Sequence, residues 1–359
     1  MSFVYWAVLC AVIIFGALAE ANPKTLYTRN RVSYVRPDPG AALLLALVLI
    51  LVSGFRYRVG TDFMAYYRMH IADWGQVFQD LVGFNEGGFT LLTKLSRSIW
   101  DNGQSLIFTS AIITIGLYAW TIYRFSPTYL LSMLLYLFLG HWQGSFNGIR
   151  QYIASAILFA GHRLILKKKM WQYILVVLSA SMFHISAVVM IVPYFLLNRE
   201  ANVTQLVLLA VGAIIIRFSY GLVFSLIGSL KDKTMNVSDP YLANGVNIFR
   251  ILTAFIPVVI YIVLCRKNDL SREQNFYVNA LFFHAFSMLA GMGSAYLSRI
   301  GIYTGAVVTI GYGHIFQLIK DDQTRQLMIC GVISILFLYW VYSIFAGGIS
   351  NFHWAFGHI

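Results

Sequence analysis

Residues 41–63 read Ala41-Ala-Leu-Leu-Leu-Ala-Leu-Val-Leu-Ile-Leu-Val52-Ser53-Gly54-Phe55-Arg56-Tyr57-Arg58-Val59-Gly60-Thr61-Asp62-Phe63. A chargeless apolar run ends, and within seven residues come two arginines, a tyrosine and a carboxylate. An apolar run of this kind reads as a membrane helix, and the cationic turn after it as the point where that helix meets the headgroups. The rest of the chain repeats the pattern. Of its 359 residues, 59% are hydrophobic and 11% charged, and the mean hydropathy is +0.71. A soluble domain carries about 25% charged residues. Composition therefore excludes the ordinary soluble classes and predicts an all-α polytopic membrane protein, one integral domain over residues 1–359. The net charge of +12 is better explained by cationic links at a membrane surface than by nucleic acid. Cys10, Cys265 and Cys330 lie in apolar runs without paired spacing, so neither a disulfide frame nor a metal site is expected.

Apolar runs near the length needed to cross hydrocarbon fall at approximately 2–19, 40–54, 105–123, 128–140, 148–165, 170–182, 185–198, 203–229, 248–265, 275–291, 298–318 and 326–346. The first has Ala17-Leu18-Ala19 near its end but no basic residue before Lys24, so it reads as a helix rather than a cleaved signal. With the N-terminus outside, Lys24, Arg29, Arg31, Arg36, Arg124, Arg163, Lys167, Lys168, Lys169, Arg199, Arg266, Lys267, Arg272, Lys320 and Arg325 all fall on the cytoplasmic side. These are fifteen of the 26 lysines and arginines, the bias of the positive-inside rule. The same rule breaks residues 171–197 into a hairpin at Phe183-His184. About 12 crossings result, with 10 or 11 as alternatives. The opposite face collects the loop 55–104, the turn His141 to Asn147, His184, the loop Lys231 to Asn247, and Met292 to Leu297. In the long first loop, Thr90 to Trp100 is amphipathic and reads as a short interfacial helix.

An arginine at the centre of a membrane helix costs about 2.5–3.5 kcal/mol on insertion scales, so ionisable residues near apolar spans are candidate functional groups. Arg56 and Arg58 lie at the end of the second span. They are either interfacial anchors or a pair of planar forks suited to a diphosphate. Asp62 is their partner or a general base. Arg150, with Gln151, starts the fifth span, where an arginine opposes the helix dipole. A bound anion would reconcile the two, and an ion pair with Asp62 or Glu86 is the alternative. His184 at the hairpin turn is a core residue or an acid–base group. Tyr296, Arg299 and Tyr303 share one helix face, either as an interfacial anchor or as a binding surface. Arg217 lies deeper and ranks lower. Gly301-Ile-Tyr-Thr-Gly305 fits close helix packing. There is no GxSxG, Walker loop, HExxH or acidic cluster for divalent cations.

Taken in order, several short blocks resemble the EpsG family of Wzy-like bacterial polysaccharide polymerases. They are Phe55-Arg56-Tyr57-Arg58-Val59-Gly60-Thr61-Asp62-Phe63 with Tyr66 or Tyr67, Glu86-Gly87-Gly88-Phe89-Thr90-Leu91-Leu92, Ile149-Arg150-Gln151-Tyr152-Ile153-Ala154, Phe183-His184-Ile185-Ser186, and Ser298-Arg299-Ile300. Glu86-Gly87 departs from the family's frequent acid–proline pair, and no catalytic role is assigned to Glu86. The resemblance implies a metal- and cofactor-independent glycosyltransferase at the outer face of the bacterial inner membrane. It would join oligosaccharide repeat units carried on undecaprenyl diphosphate, among membrane lipids and with a chain-length regulator as a candidate partner. On this reading Arg56, Arg58, Arg150 and Arg299 bind diphosphate, supported by Gln151 and Tyr303, and His184 or Asp62 activates the acceptor hydroxyl. A lipid-linked glycan flippase and a membrane ligase or acyltransferase are the rival classes. A flippase is expected to show repeat-related helices, which the sequence lacks.

Overall fold

The computed structural model describes residues 1–21, 26–230, 245–292 and 294–357. Lys24 and most of the loop Lys231 to Asn247 lie outside the described residues, as does Gly293 within the expected turn 292–297.

Each apolar run is helical. In chain order the helices are α1 Phe3–Ala21, α2 Pro39–Gly54, α3 Phe63–Tyr67, α4 Trp74–Val82, α5 Gly87–Ile99, α6 Gly103–Phe125, α7 Tyr129–Phe138, α8 His141–Gly144, α9 Ile149–Gly161, α10 Arg163–Leu166, α11 Met170–Ser181, α12 Val192–Leu196, α13 Val203–Leu230, α14 Ile248–Ile260, α15 Arg272–Ala290, α16 Ala295–Ser298, α17 Ile300–Phe316 and α18 Asp322–Ala346. A 3-10 segment, Ile185–Ile191, leads into α12, and a π turn, Tyr261–Cys265, extends α14. Four helices are long and apolar enough to cross a membrane: Phe3–Ala21, Gly103–Phe125, Ile248–Cys265 and Asp322–Ala346. Shorter apolar helices include Pro39–Gly54, Tyr129–Phe138 and Met170–Ser181. Helices α15 and α17 pack along their lengths, with α9 and α7 against α17 and α6 against α9. One apolar core runs through them from Tyr5 to Phe352.

The all-α expectation needs one correction. Leu26–Arg29 and Val32–Val35 form an antiparallel hairpin, β1–β2, with Tyr27 opposite Tyr34. The signal was local. β-branched and aromatic residues flank Asn30-Arg31, and both turn residues adopt positive φ (51° and 62°), as a two-residue hairpin turn requires. The hairpin closes over Glu273 in the first turn of α15. That carboxylate accepts from Arg29 Nη2 at 2.7 Å, Arg163 Nη1 at 2.7 Å, Tyr34 Oη at 2.8 Å and Asn30 Nδ2 at 3.0 Å.

At the other end of α2 the chain is tied to its own C-terminal segment. Tyr57 N donates to His353 O and Ala355 N to Phe55 O, each at 2.8 Å, so Arg56 and Trp354 form a bridge. Ser2 N donates to Ser350 O at 2.8 Å, and the Tyr5 hydroxyl to Ile349 O at 2.5 Å.

Residues 55–104 are built of α3, α4 and α5. The amphipathic stretch expected at 90–100 is the body of α5. A second amphipathic helix precedes it: Trp74, Phe78 and Val82 recur every four residues on α4 and are all exposed, an apolar stripe of the interfacial kind. Asp73 caps α4, accepting from Gln76 N at 2.7 Å. Asp80 then accepts from Asn85 Nδ2 at 3.2 Å and Thr90 Oγ1 at 2.9 Å. One buried carboxylate thereby pins both sides of the α4–α5 turn, and that turn carries Glu86.

Candidate functional site

Glu86 occupies the left-handed region at φ 54°, where a non-glycine residue is strained. The two glycines after it make the position reachable. A Cβ on Gly87 would collide with the backbone of Asp80 and Leu81, and one on Gly88 with Met182. Because Gly88 lies so close, its N–H donates to Met182 O at 2.9 Å, joined by Phe89 N at 3.3 Å. The start of α5 is thus fastened to the end of α11, where the chain breaks at Phe183-His184 as the charge pattern predicts. His184 itself is extended, with φ −155°.

This docking brings His184 Nδ1 to 2.5 Å from Glu86 Oε1, with Ile185 N at 3.3 Å from the same oxygen. The other carboxylate oxygen accepts from Arg150 Nη1 at 2.5 Å. Burial acts to raise the Glu86 pKa, but the His184 hydrogen bond and the Arg150 charge outweigh it and hold the carboxyl below its ordinary range. An ionised carboxylate only accepts, so Nδ1 carries a proton, and in the neutral imidazole Nε2 presents its lone pair. Among the described residues no side chain bonds Nε2. This is the carboxylate–imidazole arrangement of a general base.

Around the dyad, Arg150 also bonds Tyr66, and its guanidinium lies 5.7 Å from the Phe89 ring centre. Tyr303 Oη is 2.7 Å from Ser186 Oγ and lies beside Gln151, whose Nε2 is buried without a partner in hydrogen-bonding geometry. Arg299 is half-buried, bears electrostatically on Tyr303, and lies 5.7 Å from the Tyr296 ring centre. Blocks far apart in sequence therefore converge: Arg150 and Gln151, His184 and Ser186, Arg299 and Tyr303.

The first arginine block does not converge with them in the same way. Arg56 is fully buried, donating to Ser53 O at 2.6 Å and Phe146 O at 3.4 Å, with its guanidinium 4.7 Å from the Phe146 ring centre. It closes the end of α2, with its Nη donors on the Ser53 and Phe146 carbonyls and the Ser53 hydroxyl, while Nε is buried without a partner. Arg58 is exposed at φ 51° against the Tyr57 ring. Asp62 is exposed, accepts from its neighbour Thr61 at 3.3 Å, and bears on Tyr66 at the rim of the cluster. Arg217 is exposed on α13.

Glu86 is the hub, and of the two ion-pair partners weighed for Arg150 it is the one the structure shows, although no catalytic role was assigned to it. One further group escaped sequence reasoning. Arg250, in the first turn of α14, is half-buried and bears electrostatically on His141, Tyr152, His284 and Tyr339. Its signal was the one that marked Arg299, a lone cation at the start of an apolar run. Among the described residues no three His, Cys, Asp or Glu side chains converge as a metal site.

The EpsG family model matches residues 41–355. No match was found among curated proteins or solved structures. The chain belongs to the EpsG family, and its apolar helices are those of a membrane protein.

Proposed function

We propose that this EpsG-family protein is a polysaccharide polymerase that joins oligosaccharide repeat units carried on undecaprenyl diphosphate. In this reading it crosses the bacterial cytoplasmic membrane about 12 times, with the N-terminus outside and the Glu86–His184 dyad facing the exterior. Residues 55–104 lie along that outer surface, where the apolar stripe of α4 rests among lipid headgroups.

The observation that carries the reading is the dyad itself. His184 Nε2 accepts the proton of an acceptor sugar hydroxyl as that oxygen attacks the anomeric carbon of the donor glycan. Glu86 holds the imidazole in the required tautomer and stabilises the imidazolium that forms. The new bond is carbon to acceptor oxygen. The bond that breaks is anomeric carbon to diphosphate oxygen, and lipid diphosphate leaves. Developing charge on that leaving group is met by Arg299 and by the N–H groups of Arg150 not committed to Glu86. Tyr303 and Gln151 line the same space, and the unpartnered Gln151 Nε2 is a donor available to a sugar or phosphate oxygen. Arg56 serves as the structural seal of the turn, Arg58 as an exposed cation at its edge, and Asp62 as a rim carboxylate.

Mass analysis of products from purified protein given lipid-linked repeat units tests the proposal. A ladder of repeat-unit multiples is expected from wild type, and none from His184→Ala. Transfer to a different acceptor would make the protein a ligase, and a change of sidedness alone a flippase. Either result sinks the polymerase reading.

A further inference from the structure

The β1–β2 hairpin walls a cavity that the dyad does not use. It measures about 510 Å³, within the range of ligand-binding cavities. Three arginines line it together: Arg29 from β1, Arg36 just past β2, and Arg124 in the last turn of α6. Tyr27, Tyr123 and Ser126 complete the polar wall, and among the described residues no carboxylate lines it. The walls are held by backbone, amide and ring contacts. Val35 N donates to Pro127 O at 3.1 Å, which joins β2 to the turn after α6. Ser33 N donates to Gln317 Oε1 at 2.9 Å, and Gln317 Nε2 to Ser33 O at 2.7 Å, which joins the hairpin to the end of α17. Tyr27 stacks on Tyr34 with ring centres 5.3 Å apart. The cavity is therefore preformed.

The three cations differ in what already neutralises them. Arg29 is bound to Glu273, but that carboxylate also takes Arg163, so one negative charge serves two arginines. Arg36 and Arg124 are exposed, and among the described residues neither enters an ion pair. Carboxylates near them along the chain are otherwise engaged. Asp38 caps α2, accepting from Ala41 N at 3.0 Å, and Glu20 accepts from Leu130 N at 3.1 Å. Residues 22–25, which lie outside the described residues and precede β1, hold a lysine and no acid. Asp232 and Asp239 belong to the stretch 231–244, and both of its flanks are at the other end of α15. Val246 N donates to Gly291 O, and the chain enters α13 beside Asn275 and by Ile216 shares a cavity wall with Ala290. Glu273, which holds Arg29, is about 27 Å from Gly291 along α15.

We propose that Arg29, Arg36 and Arg124 form a site for the phosphate of an anionic phospholipid headgroup. Guanidinium forks match phosphate oxygens, and two of these three have donors that no described carboxylate claims. Tyr27 and Tyr123 at the wall supply the amphipathic rings that suit headgroup depth. The cavity lies at the opposite end of two helices from the Arg56 turn. Arg36 precedes α2 and Arg56 follows it; Arg124 ends α6, and Gln104, which donates to Arg56 O at 3.0 Å, begins it. Along α6 those ends are about 30 Å apart. On the proposed topology the cavity therefore meets the cytoplasmic leaflet, whose lipids are anionic and whose headgroups bind in basic pockets between helices. The choice of a lipid over a soluble phosphate ester rests on that topology. The anion chemistry does not, and neither needs the polymerase reading.

Native mass spectrometry of the full chain in detergent, titrated with dioctanoyl phosphatidylglycerol, tests the site. Wild type should bind one phosphatidylglycerol more tightly than any further copies, and more tightly than phosphatidylcholine of the same chain length. An arginine at a membrane surface is worth about fivefold in affinity for anionic lipid. Arg36→Gln combined with Arg124→Gln should therefore weaken that binding by about 25-fold, and each alone by about fivefold. Both side chains are exposed, and the thermal transition serves as the folding control; the single variants carry the test if the double variant loses it. Arg58→Gln removes a charge at the opposite end of α2 and should leave the affinity unchanged. Unchanged affinity in the Arg36 and Arg124 variants would overturn the site. So would an equal loss per charge in Arg58→Gln, which marks general attraction of anions to a basic protein. Glycerol phosphate, the headgroup ester without acyl chains, should compete only at far higher concentration. Displacement at equal concentration would make this a site for a soluble phosphate ester and overturn the lipid assignment.

Discussion

Glu273 and Glu86 are each the hub of a charged cluster, yet they are completed differently. Around Glu273 every partner is protein. Arg29, Arg163, Tyr34 and Asn30 all donate to it, and the carboxylate is 0% exposed. Around Glu86 the partners are fewer and half-open. The side chains of Glu86, His184 and Arg150 are 16%, 19% and 41% exposed, and His184 Nε2 is left over. The first cluster is a clasp that ties the β-hairpin and α10 to the start of α15. The second holds an imidazole nitrogen that no described side chain bonds, which the proposed mechanism uses as its base. What separates them is the capacity left after internal bonding, because both are built from the same residue types.

The sharpest way to break this comparison is to remove the base. His184→Ala should lower polymer synthesis by about 10²- to 10⁴-fold, the usual worth of a general base, with little change in thermal stability. A variant that unfolds instead would make the second cluster a clasp as well.

Glu273→Ala should do the reverse. Stranding two arginines costs about 3–5 kcal/mol in a buried pair, seen as lost yield and an earlier thermal transition in detergent. Glu86→Ala should cost clearly less stability, because Arg150 is partly hydrated already and solvent screens what it loses. Acid sharpens the contrast. Burial raises the Glu273 pKa, but Arg163 and the hydrogen-bond donors overcome it and set it at about 2. A carboxyl lowered by folding contributes stability above its unfolded pKa of about 4.3 and loses it as pH falls toward the folded value. Acid unfolding should therefore steepen between about pH 4 and pH 2 in wild type, and Glu273→Gln should lack that limb. Glu86 is lowered too, so the dyad carboxylate stays ionised across the neutral range.

Smaller effects probe the rim. Tyr303→Phe removes one hydrogen-bonding hydroxyl, worth about 1 kcal/mol, and should slow polymerisation about fivefold without altering the product ladder. Arg58→Ala should shift stability by no more than about 0.5 kcal/mol, as an exposed residue does, when followed by thermal unfolding.

Much of the fold was legible because hydrocarbon demands it. Apolar runs become helices when their backbone groups must be satisfied internally, and the charged links placed the break at Phe183-His184. Arg150, Gln151, His184, Arg299 and Tyr303 were legible for a related reason, as polar side chains at the edges of apolar spans. The β-hairpin was missed because four-residue strands carry little periodic signal beside helices. Glu86 was legible only as an alternative partner for Arg150, because its contact with His184 depends on a left-handed backbone and on Met182, which sits far away in sequence. Arg56 carried the same sequence signal as Arg299, but tertiary contacts turned it inward onto carbonyls. Spacing reports that a residue is costly to place, while only packing reports whether its cost is met by protein or left for a ligand.

The hydrogen bond from Ser2 N to Ser350 O carries a constraint of parity. Residues 2 and 350 touch, and on the proposed topology that places both at one surface of the membrane. A chain that leaves a surface and returns to it has crossed an even number of times. On the proposed topology this parity favours ten or twelve crossings over eleven. Reporters placed at the two ends should read the same side.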